Sequence, residues 1–391
     1  MGQRALRVIC LVALLVASAP ACESDYPIWI PRSPRADALY RFRRGNRIGY
    51  IDQQGKVVIP PTIRWYGFNT GDEFHDGLLH VGAAEPVYVN MTGKKISYKN
   101  LYSAWDFTEG LAAAKKQEGG FWGYIDTKGD FAISPRFASG PDDYVWAFSD
   151  GLALIKTNAR FGFIDHSGEF VIPPTLLDAD SFHEGYARVV AEGPCVYASG
   201  IPTCPDVRTP GLSRKEQQSS GDKLPNCKVT FIDKSGRVIS DKRYDDANYF
   251  SEGLAPVRVG GKWGYIDRTG ELVIGARFDR AEPFSGGVGL VMENGLYGFI
   301  DKGGIYVIPP RFEWAEGFAE GYAVVGIDGY NGPVWYIDHR GNPVFDRKFA
   351  AASSFFKGLA HVKLLSGTEG DRKEHFEYLN RDGRTVFAYT P

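Results

Sequence analysis

The sequence predicts an all-β protein, a tandem array of about nine small β units, and three observations lead to this prediction. A short phrase recurs along the chain: an aromatic residue, an aliphatic residue, Asp or Asn, two variable residues and Gly. A second phrase, F-x-x-G, stands between most neighbouring copies and leads into an alternating apolar run. The composition, with 21 Tyr, 25 Phe and 47 Gly, favours strands and turns over helices. Repetition at a near-constant period is typical of repeat architectures.

The first phrase occurs nine times, and successive copies are 34 to 42 residues apart except for one interval of 68, which contains an insertion. The copies begin at Tyr50, Tyr88, Tyr124, Phe163, Phe231, Tyr265, Phe299, Tyr336 and Tyr378. Each unit therefore has room for three or four short strands.

One unit can be followed through residues 254–282. The run LAPVRV alternates as a half-buried strand does, the Gly260–Gly261 pair turns the chain, and WGYID returns antiparallel to it. The sequence DRTG makes a second turn, and ELVI forms the third strand. In other copies a Pro follows at this point, and we expect it to end the strand, because Pro cannot donate to a ladder. The sequence RFDRAEPF then predicts a short fourth strand or an edge crossing.

The recurring Asp is predicted to hold a turn. In D-x-x-G its carboxylate can accept hydrogen bonds from backbone N–H groups two or three residues on, while Gly takes a positive φ. Asn, which lacks the charge, replaces Asp in two copies, and a single catalytic or metal site would not need nine carboxylates. The predicted structural turn residues are Asp52, Asn90, Asp126, Asp165, Asp233, Asp267, Asp301, Asp338 and Asn380. We predict no catalytic residue, no metal site and no cofactor.

Residues 250–274, FSEGLAPVRVGGKWGYIDRTGELVI, resemble the WG repeat of bacterial WG-repeat-containing proteins. The resemblance extends from about residue 39 to the C-terminus. It implies a tandem β-repeat protein with no common catalytic residue. Three or four short strands in each unit also resemble a propeller blade, so we predict a propeller-like array of small sheets, either a closed toroid or an open superhelix. The aromatic side chains that precede Gly in WG are expected to pack between units, with a stacking ladder for a glycan as the alternative.

The N-terminal residues are typical of a secretory signal. Arg4 and Arg7 precede an apolar run at residues 8–16 that is too short to span a bilayer. We predict a signal peptide at 1–21, a tether at 22–37 and the repeat domain at 38–391. Cys22 is a lipidation candidate. The protein is thus expected to be exported: periplasmic, an outer-membrane lipoprotein or extracellular, with membrane attachment only through a lipidated Cys22.

An insertion at residues 191–228 interrupts one hairpin and is rich in Gly, Pro, Ser and charged residues. Its three cysteines, Cys195, Cys204 and Cys227, are disulfide candidates in an exported protein. Long connections of this kind are functional or disordered. The stretch from Cys195 to Cys227 is therefore a candidate contact region, with a disulfide-tacked disordered loop as the alternative.

The function predicted from these features is a non-catalytic scaffold that binds a protein or a glycan at the bacterial envelope. The net charge of −2 and the lack of a basic stripe give no support to nucleic-acid binding. Two alternatives remain: an enzyme, hydrolase-like, with a pocket formed by converging unit ends, and an envelope-anchored structural or assembly factor.

Overall fold

The computed structural model describes residues 38–64, 73–81, 86–138, 140, 143–192, 228–327, 332–364 and 374–391. These residues form 31 β-strands in nine antiparallel sheets, and the fold is all-β. Among them there is no helix of the length and apolarity that crossing a membrane requires. The predicted signal peptide, the tether, Cys22 and the three cysteines of the insertion lie outside the described residues.

The sheets follow one another in chain order. The strands of sheets 1 to 3 are β1 (Tyr40–Arg44), β2 (Arg47–Ile51), β3 (Val57–Arg64); β4 (Leu78–His80), β5 (Val87–Asn90), β6 (Lys95–Ser97); and β7 (Ser103–Ala104), β8 (Leu111–Lys115), β9 (Trp122–Asp126), β10 (Phe131–Phe137). The strands of sheets 4 to 6 are β11 (Tyr144–Ser149), β12 (Leu152–Thr157), β13 (Arg160–Ile164), β14 (Phe170–Leu176); β15 (Tyr186–Glu192), β16 (Lys228–Asp233); and β17 (Asp246–Ala247), β18 (Ala255–Val259), β19 (Lys262–Ile266), β20 (Leu272–Phe278).

The strands of sheets 7 to 9 are β21 (Arg280–Ala281), β22 (Gly289–Glu293), β23 (Leu296–Ile300), β24 (Tyr306–Phe312); β25 (Trp314–Ala315), β26 (Ala323–Gly326), β27 (Val334–Ile337); and β28 (Ala351–Ala352), β29 (Leu359–Lys363), β30 (Phe376–Asn380), β31 (Thr385–Tyr389). A complete sheet thus has four strands paired in sequence order. The F-x-x-G turn joins the first two strands and the D-x-x-G turn the last two. Both turns lie at one end of the sheet, and the central hairpin lies at the other.

The Pro pairs do not end their strands, contrary to the sequence prediction. Pro173 and Pro174 lie inside β14, and the pairing of β13 with β14 shifts register around them. The strand continues because it is an edge strand with a bulge, where a missing N–H costs no ladder bond.

This bulge explains the Gly of WG. A Cβ built on Gly264 would lie 2.4 Å from the Ile274 carbonyl oxygen and 2.8 Å from the Ala276 nitrogen, so a side chain would collide with the bulged strand. Residues larger than Gly occupy the slot in sheets 2, 5, 8 and 9. In sheets 5 and 8 the strand order includes no fourth strand, and in sheet 9 Glu377 pairs with Ala388 in regular register. Gly is thus needed only in sheets where the bulged fourth strand leaves no room for a side chain at this position.

The hydrophobic core lies between consecutive sheets. Between sheets 6 and 7, Tyr265 is fully buried and contacts Phe284 edge to face, with ring centroids 4.9 Å apart. Its hydroxyl donates to the Glu282 carbonyl oxygen of the next sheet, 2.8 Å away. This bond satisfies a polar group that burial would otherwise leave unpaired. Tyr88, Tyr124 and Tyr336 make the same bond to the sheet that follows each of them.

The first sheet contacts the last in the same way. The Tyr378 hydroxyl of sheet 9 donates to the Arg41 carbonyl oxygen of sheet 1. Tyr40 and Phe42 pack with Tyr378 and Phe387 in one hydrophobic cluster. Sheets 1 and 9 thus cover each other's outer faces.

Candidate functional site

The D-x-x-G turns show what the recurring carboxylates do. The Asp267 Oδ1 accepts hydrogen bonds from the backbone N–H groups of Thr269, at 2.8 Å, and Glu271, at 3.1 Å. The Thr269 hydroxyl donates to the same oxygen and is the main cause that lowers the pKa of Asp267. Gly270 takes a φ of 79°, which the turn requires. The carboxylate is therefore committed to holding its own loop.

All nine predicted turn residues make this pair of bonds. In each case a side-chain oxygen accepts from the N–H groups two and four residues on, as at Asp52, Asn90, Asp126, Asp165, Asp233, Asp267, Asp301, Asp338 and Asn380. Because the amide oxygens of Asn90 and Asn380 serve equally, the contact does not depend on a negative charge.

The Gly that ends each turn packs against the preceding unit. A Cβ on Gly304 would lie 2.9 Å from Ile274 of sheet 6, and one on Gly270 would lie 2.4 Å from Ser240. A Cβ on Gly55, in sheet 1, would lie 2.1 Å from the Val386 carbonyl oxygen of sheet 9. Each turn thus connects two strands of its own sheet and also packs against the neighbouring unit.

The sequence reasoning missed a second set of carboxylates, at the third position of F-x-x-G. The Glu109 Oε2 of sheet 3 accepts from the Gly151 N–H of sheet 4 at 3.0 Å, and the Asp150 Oδ2 accepts from the Gly185 N–H of sheet 5 at 2.8 Å. The remaining bonds of this kind start at Asp76, Glu184, Glu252 and Glu320. We call these six residues the carboxylate ladder, since each one holds the F-x-x-G turn of the next unit.

Basic residues of the following D-x-x-G turns pair with the ladder. Arg381 donates to Glu320 at 2.6 Å, and Lys302 lies 3.3 Å from Glu252. Burial alone would raise the pKa of Glu184, but hydrogen bonds from two backbone N–H groups and from Arg268 outweigh it and leave that pKa below its ordinary value. These charges thus serve contacts between units.

Two positions depart from the ladder. Gly286 stands at the ladder position of sheet 7, where the His339 imidazole meets its carbonyl oxygen instead at 2.8 Å. Lys357 stands at the ladder position of sheet 9, and its carbonyl oxygen accepts from Gln53 and Tyr40 of sheet 1. An acid at the third position in six of eight F-x-x-G phrases was the sequence signal that could have revealed the ladder.

Within the described part of the chain, two carboxyl groups have raised pKa values, and they lie apart. Burial raises the pKa of Glu316, between sheets 8 and 9, to about 7, while the Ser354 hydroxyl donates to it at 2.7 Å. Burial also raises the pKa of Asp246, which lies at the interface of sheets 5 and 6 near Arg188. Since they occupy different interfaces, they do not form the paired acid and base of a hydrolytic site. Within the described residues no cluster of three or more His, Cys, Asp or Glu could hold a metal ion.

A cavity of about 530 Å³ opens between sheets 3 and 4, and we call it the 3–4 cleft. Its walls include Phe121 and Phe170, which are 52% and 39% exposed. Asp143, Asn158 and the ion pair of Arg136 with Glu169 supply its polar groups. No residue of this cleft belongs to the predicted contact region in the insertion.

Consecutive antiparallel sheets of two to four strands, joined by repeated turns, define a tandem β-repeat protein. The chain belongs to the family described as WG containing repeat, whose model matches residues 48–71, 88–119, 122–160, 161–193, 230–263, 263–297, 297–330 and 336–365. The family resemblance predicted from the sequence is thus confirmed. The ninth unit, at Tyr378, lies beyond the matched segments.

Solved structures support the fold. A structure described as that of the eukaryotic initiation factor has 12% identity and a TM-score of 0.57 over 90% of this chain and 95% of that chain. BamB from Moraxella catarrhalis has 10% identity and a TM-score of 0.37 over 74% of this chain and 92% of its own. The nine antiparallel sheets, together with the first of these likenesses, confirm the predicted all-β, propeller-like array. A search of the curated proteins found no match.

Proposed function

We propose that this protein is an exported, non-catalytic scaffold that holds a partner molecule at the bacterial envelope. The observation that supports it most directly is the use of the recurring carboxylates: nine turn residues and six ladder residues all accept backbone hydrogen bonds. A group that is already bonded to the turn it holds is not free to act as a general base. The surface of the assembled units therefore remains available to bind a partner.

We also propose that the nine units form a closed array. Support comes from the contacts of sheet 1 with sheet 9, which repeat the tyrosine bond and the close glycine approach that join consecutive sheets. A closed array has no bare terminal sheet, and a rigid ring presents fixed surfaces at little cost in conformational entropy on binding.

Affinity capture from an envelope extract tests the scaffold role. Immobilised repeat domain, residues 38–391, is expected to retain a defined partner, and the variant that lacks residues 191–227 shows whether the insertion supplies the contact. The Asp267→Asn variant is the matched control, because it is expected to fold and to capture the same partner. A turnover that Asp267→Asn abolishes in the folded protein would contradict the proposal.

Mass spectrometry of the mature N-terminus tests the export and anchoring. We expect a chain that begins at Cys22. A diacylglyceryl mass on that residue would support the envelope-anchored form, and an unmodified Cys22 would support free secretion. A chain that retains residues 1–21 would contradict export.

A further inference from the structure

The 3–4 cleft lies at an interface where the connection between the two sheets has more residues than at two later interfaces. Six residues, 138–143, separate β10 from β11, whereas a single residue, Asp279, separates β20 from β21 and Glu313 alone separates β24 from β25. The cavity of about 530 Å³ lies at this interface. That volume is within the range of small-molecule sites.

Equivalent positions in other sheets carry ion pairs. Lys262, at the start of β19, donates to the Asp279 Oδ1 at 2.5 Å, and Lys228 pairs with Asp245 in the same way one interface earlier. In both pairs the Lys stands three residues before the aromatic of the D-x-x-G phrase. At the interface of sheets 3 and 4 this position holds Phe121, and the Asp position holds Asp143. An exposed ring thus replaces the lysine.

The Asp143 carboxylate is fixed but retains capacity to accept. Its Oδ2 accepts from the Gly140 N–H at 3.1 Å and its Oδ1 from the Asn158 N–H at 3.2 Å. Within the described parts of the chain it has no cationic partner. Each carboxylate oxygen has two lone pairs, so each can accept one further donor. The Asn158 side-chain amide makes no hydrogen bond to the residues described, and it lines the same cleft.

The second ring of the cleft is held in place. Phe170 meets the buried Phe137 edge to face, with centroids 5.9 Å apart and planes at 89°. The Arg136 guanidinium donates to the Glu169 carboxylate at 2.8 Å, which cancels both charges beside that ring. The cleft therefore combines two exposed rings, one unpaired carboxylate and one amide.

We propose that the 3–4 cleft is a binding site for a neutral saccharide. Apolar C–H faces of a pyranose pack on aromatic rings, and its hydroxyls donate to carboxylates and bond to amides. The uncompensated Asp143 charge disfavours acidic sugars. This inference rests on the proposed scaffold function and assigns it a ligand class.

Isothermal titration calorimetry of the repeat domain with cellotetraose, maltotetraose and chitotetraose tests the site. At least one of the three is expected to bind with a Kd of about 1 mM or lower. The Phe121→Lys variant restores the lysine of the sister interfaces and removes the ring, and Asp143→Asn removes the charged acceptor. Each is expected to weaken binding about tenfold or more. Phe170→Ala provides a third, independent change on the other wall.

Lys262→Phe is the matched control, because it makes the reverse change at the interface of sheets 6 and 7 and is expected to leave the affinity unchanged. Thermal midpoints of all variants show that each is folded. Absence of heat from all three sugars at 10 mM, or full affinity in Phe121→Lys, would overturn the site. If the unmodified domain captures an envelope partner but binds none of the three sugars, the scaffold function stands and the saccharide assignment fails.

Discussion

The interfaces of sheets 6–7 and 3–4 share the same buried contacts, but they differ in the pair of residues at the end of the sheet where the central hairpin lies. At sheets 6–7, Lys262 and Asp279 form an ion pair that ties one unit to the next. At sheets 3–4 the corresponding residues are Phe121 and Asp143, which form no ion pair and line a cleft. Both interfaces keep the buried tyrosine and the bulged fourth strand. The difference shows that an interface can lack the ion pair and carry a cleft instead while its buried contacts stay the same.

The largest expected effect tests the close contact between Gly and the bulged fourth strand, which both interfaces share. Gly264→Val in sheet 6 and Gly123→Val in sheet 3 each place a side chain against the bulged strand, where a Cβ would lie 2.4 Å from a carbonyl oxygen. Each is expected to lower the free energy of unfolding by about 2–4 kcal/mol, measured by urea denaturation.

Thr230→Val is the control for this change. Thr230 occupies the same slot in sheet 5, is buried, and its hydroxyl has no partner among the described residues. Removal of an unsatisfied hydroxyl is expected to be neutral or stabilising. Equal losses at all three positions would show that the bulge is not the reason for Gly.

A third interface, between sheets 8 and 9, extends the comparison to a buried acid. The folded pKa of Glu316, about 7, exceeds its ordinary value of 4.5. Its contribution to stability is therefore complete below about pH 4.5 and is lost as the pH rises through about 7. Glu316→Gln is expected to remove this decline, worth up to about 2 kcal/mol after solvent screening. Thermal midpoints of both proteins from pH 4.5 to 8 measure it, and parallel curves would contradict the assignment.

The turn residues are expected to give smaller effects in both regions, here in sheets 6 and 4. Asp267→Ala in sheet 6 and Asp165→Ala in sheet 4 each leave two backbone N–H groups without their acceptor, at a cost of about 1–2 kcal/mol. The Asp→Asn changes at the same positions are expected to stay within about 0.5 kcal/mol, because Asn90 and Asn380 make the same bonds. If Asn is as damaging as Ala in denaturation curves, the charge itself matters.

The smallest expected effect distinguishes the two interfaces directly. The Lys262 ammonium is the main cause that lowers the pKa of Asp279. Lys262→Ala is expected to return that pKa towards its ordinary value in a carboxyl NMR titration. The stabilisation from Asp279 is present above pH 3.8 and is lost as the pH falls through the lowered value. Double-mutant coupling of about 0.2–1 kcal/mol is expected for an exposed pair, and zero coupling with an unchanged titration would contradict the contact.

Sequence reasoning was most successful where contacts are local. The bonds of Asp267 reach the N–H groups two and four residues on, so the D-x-x-G pattern predicted the turn and its first bond, whereas the second bond lies one residue beyond the predicted range. The carboxylate ladder was missed because Glu184 bonds to Gly253, 69 residues away, and nothing in one unit indicates that contact. The strand end predicted at the Pro pairs was wrong, because a bulged edge strand tolerates Pro. The 3–4 cleft could not be predicted, because the sequence does not show that the residue at position 121 and Asp143 lie at the same interface. The presence of Phe instead of Lys at residue 121 is nevertheless visible when the units are aligned.

The contact between sheets 1 and 9 has a consequence for folding. Tyr40 and Phe42 belong to the first sheet, yet the residues that cover them, Tyr378 and Phe387, belong to the ninth. Sheets 1 to 8 folded without sheet 9 leave these two aromatic side chains of sheet 1 uncovered. Contacts between residues so far apart in sequence form more slowly than those between neighbouring sheets, so partly folded forms expose an aggregation-prone aromatic surface.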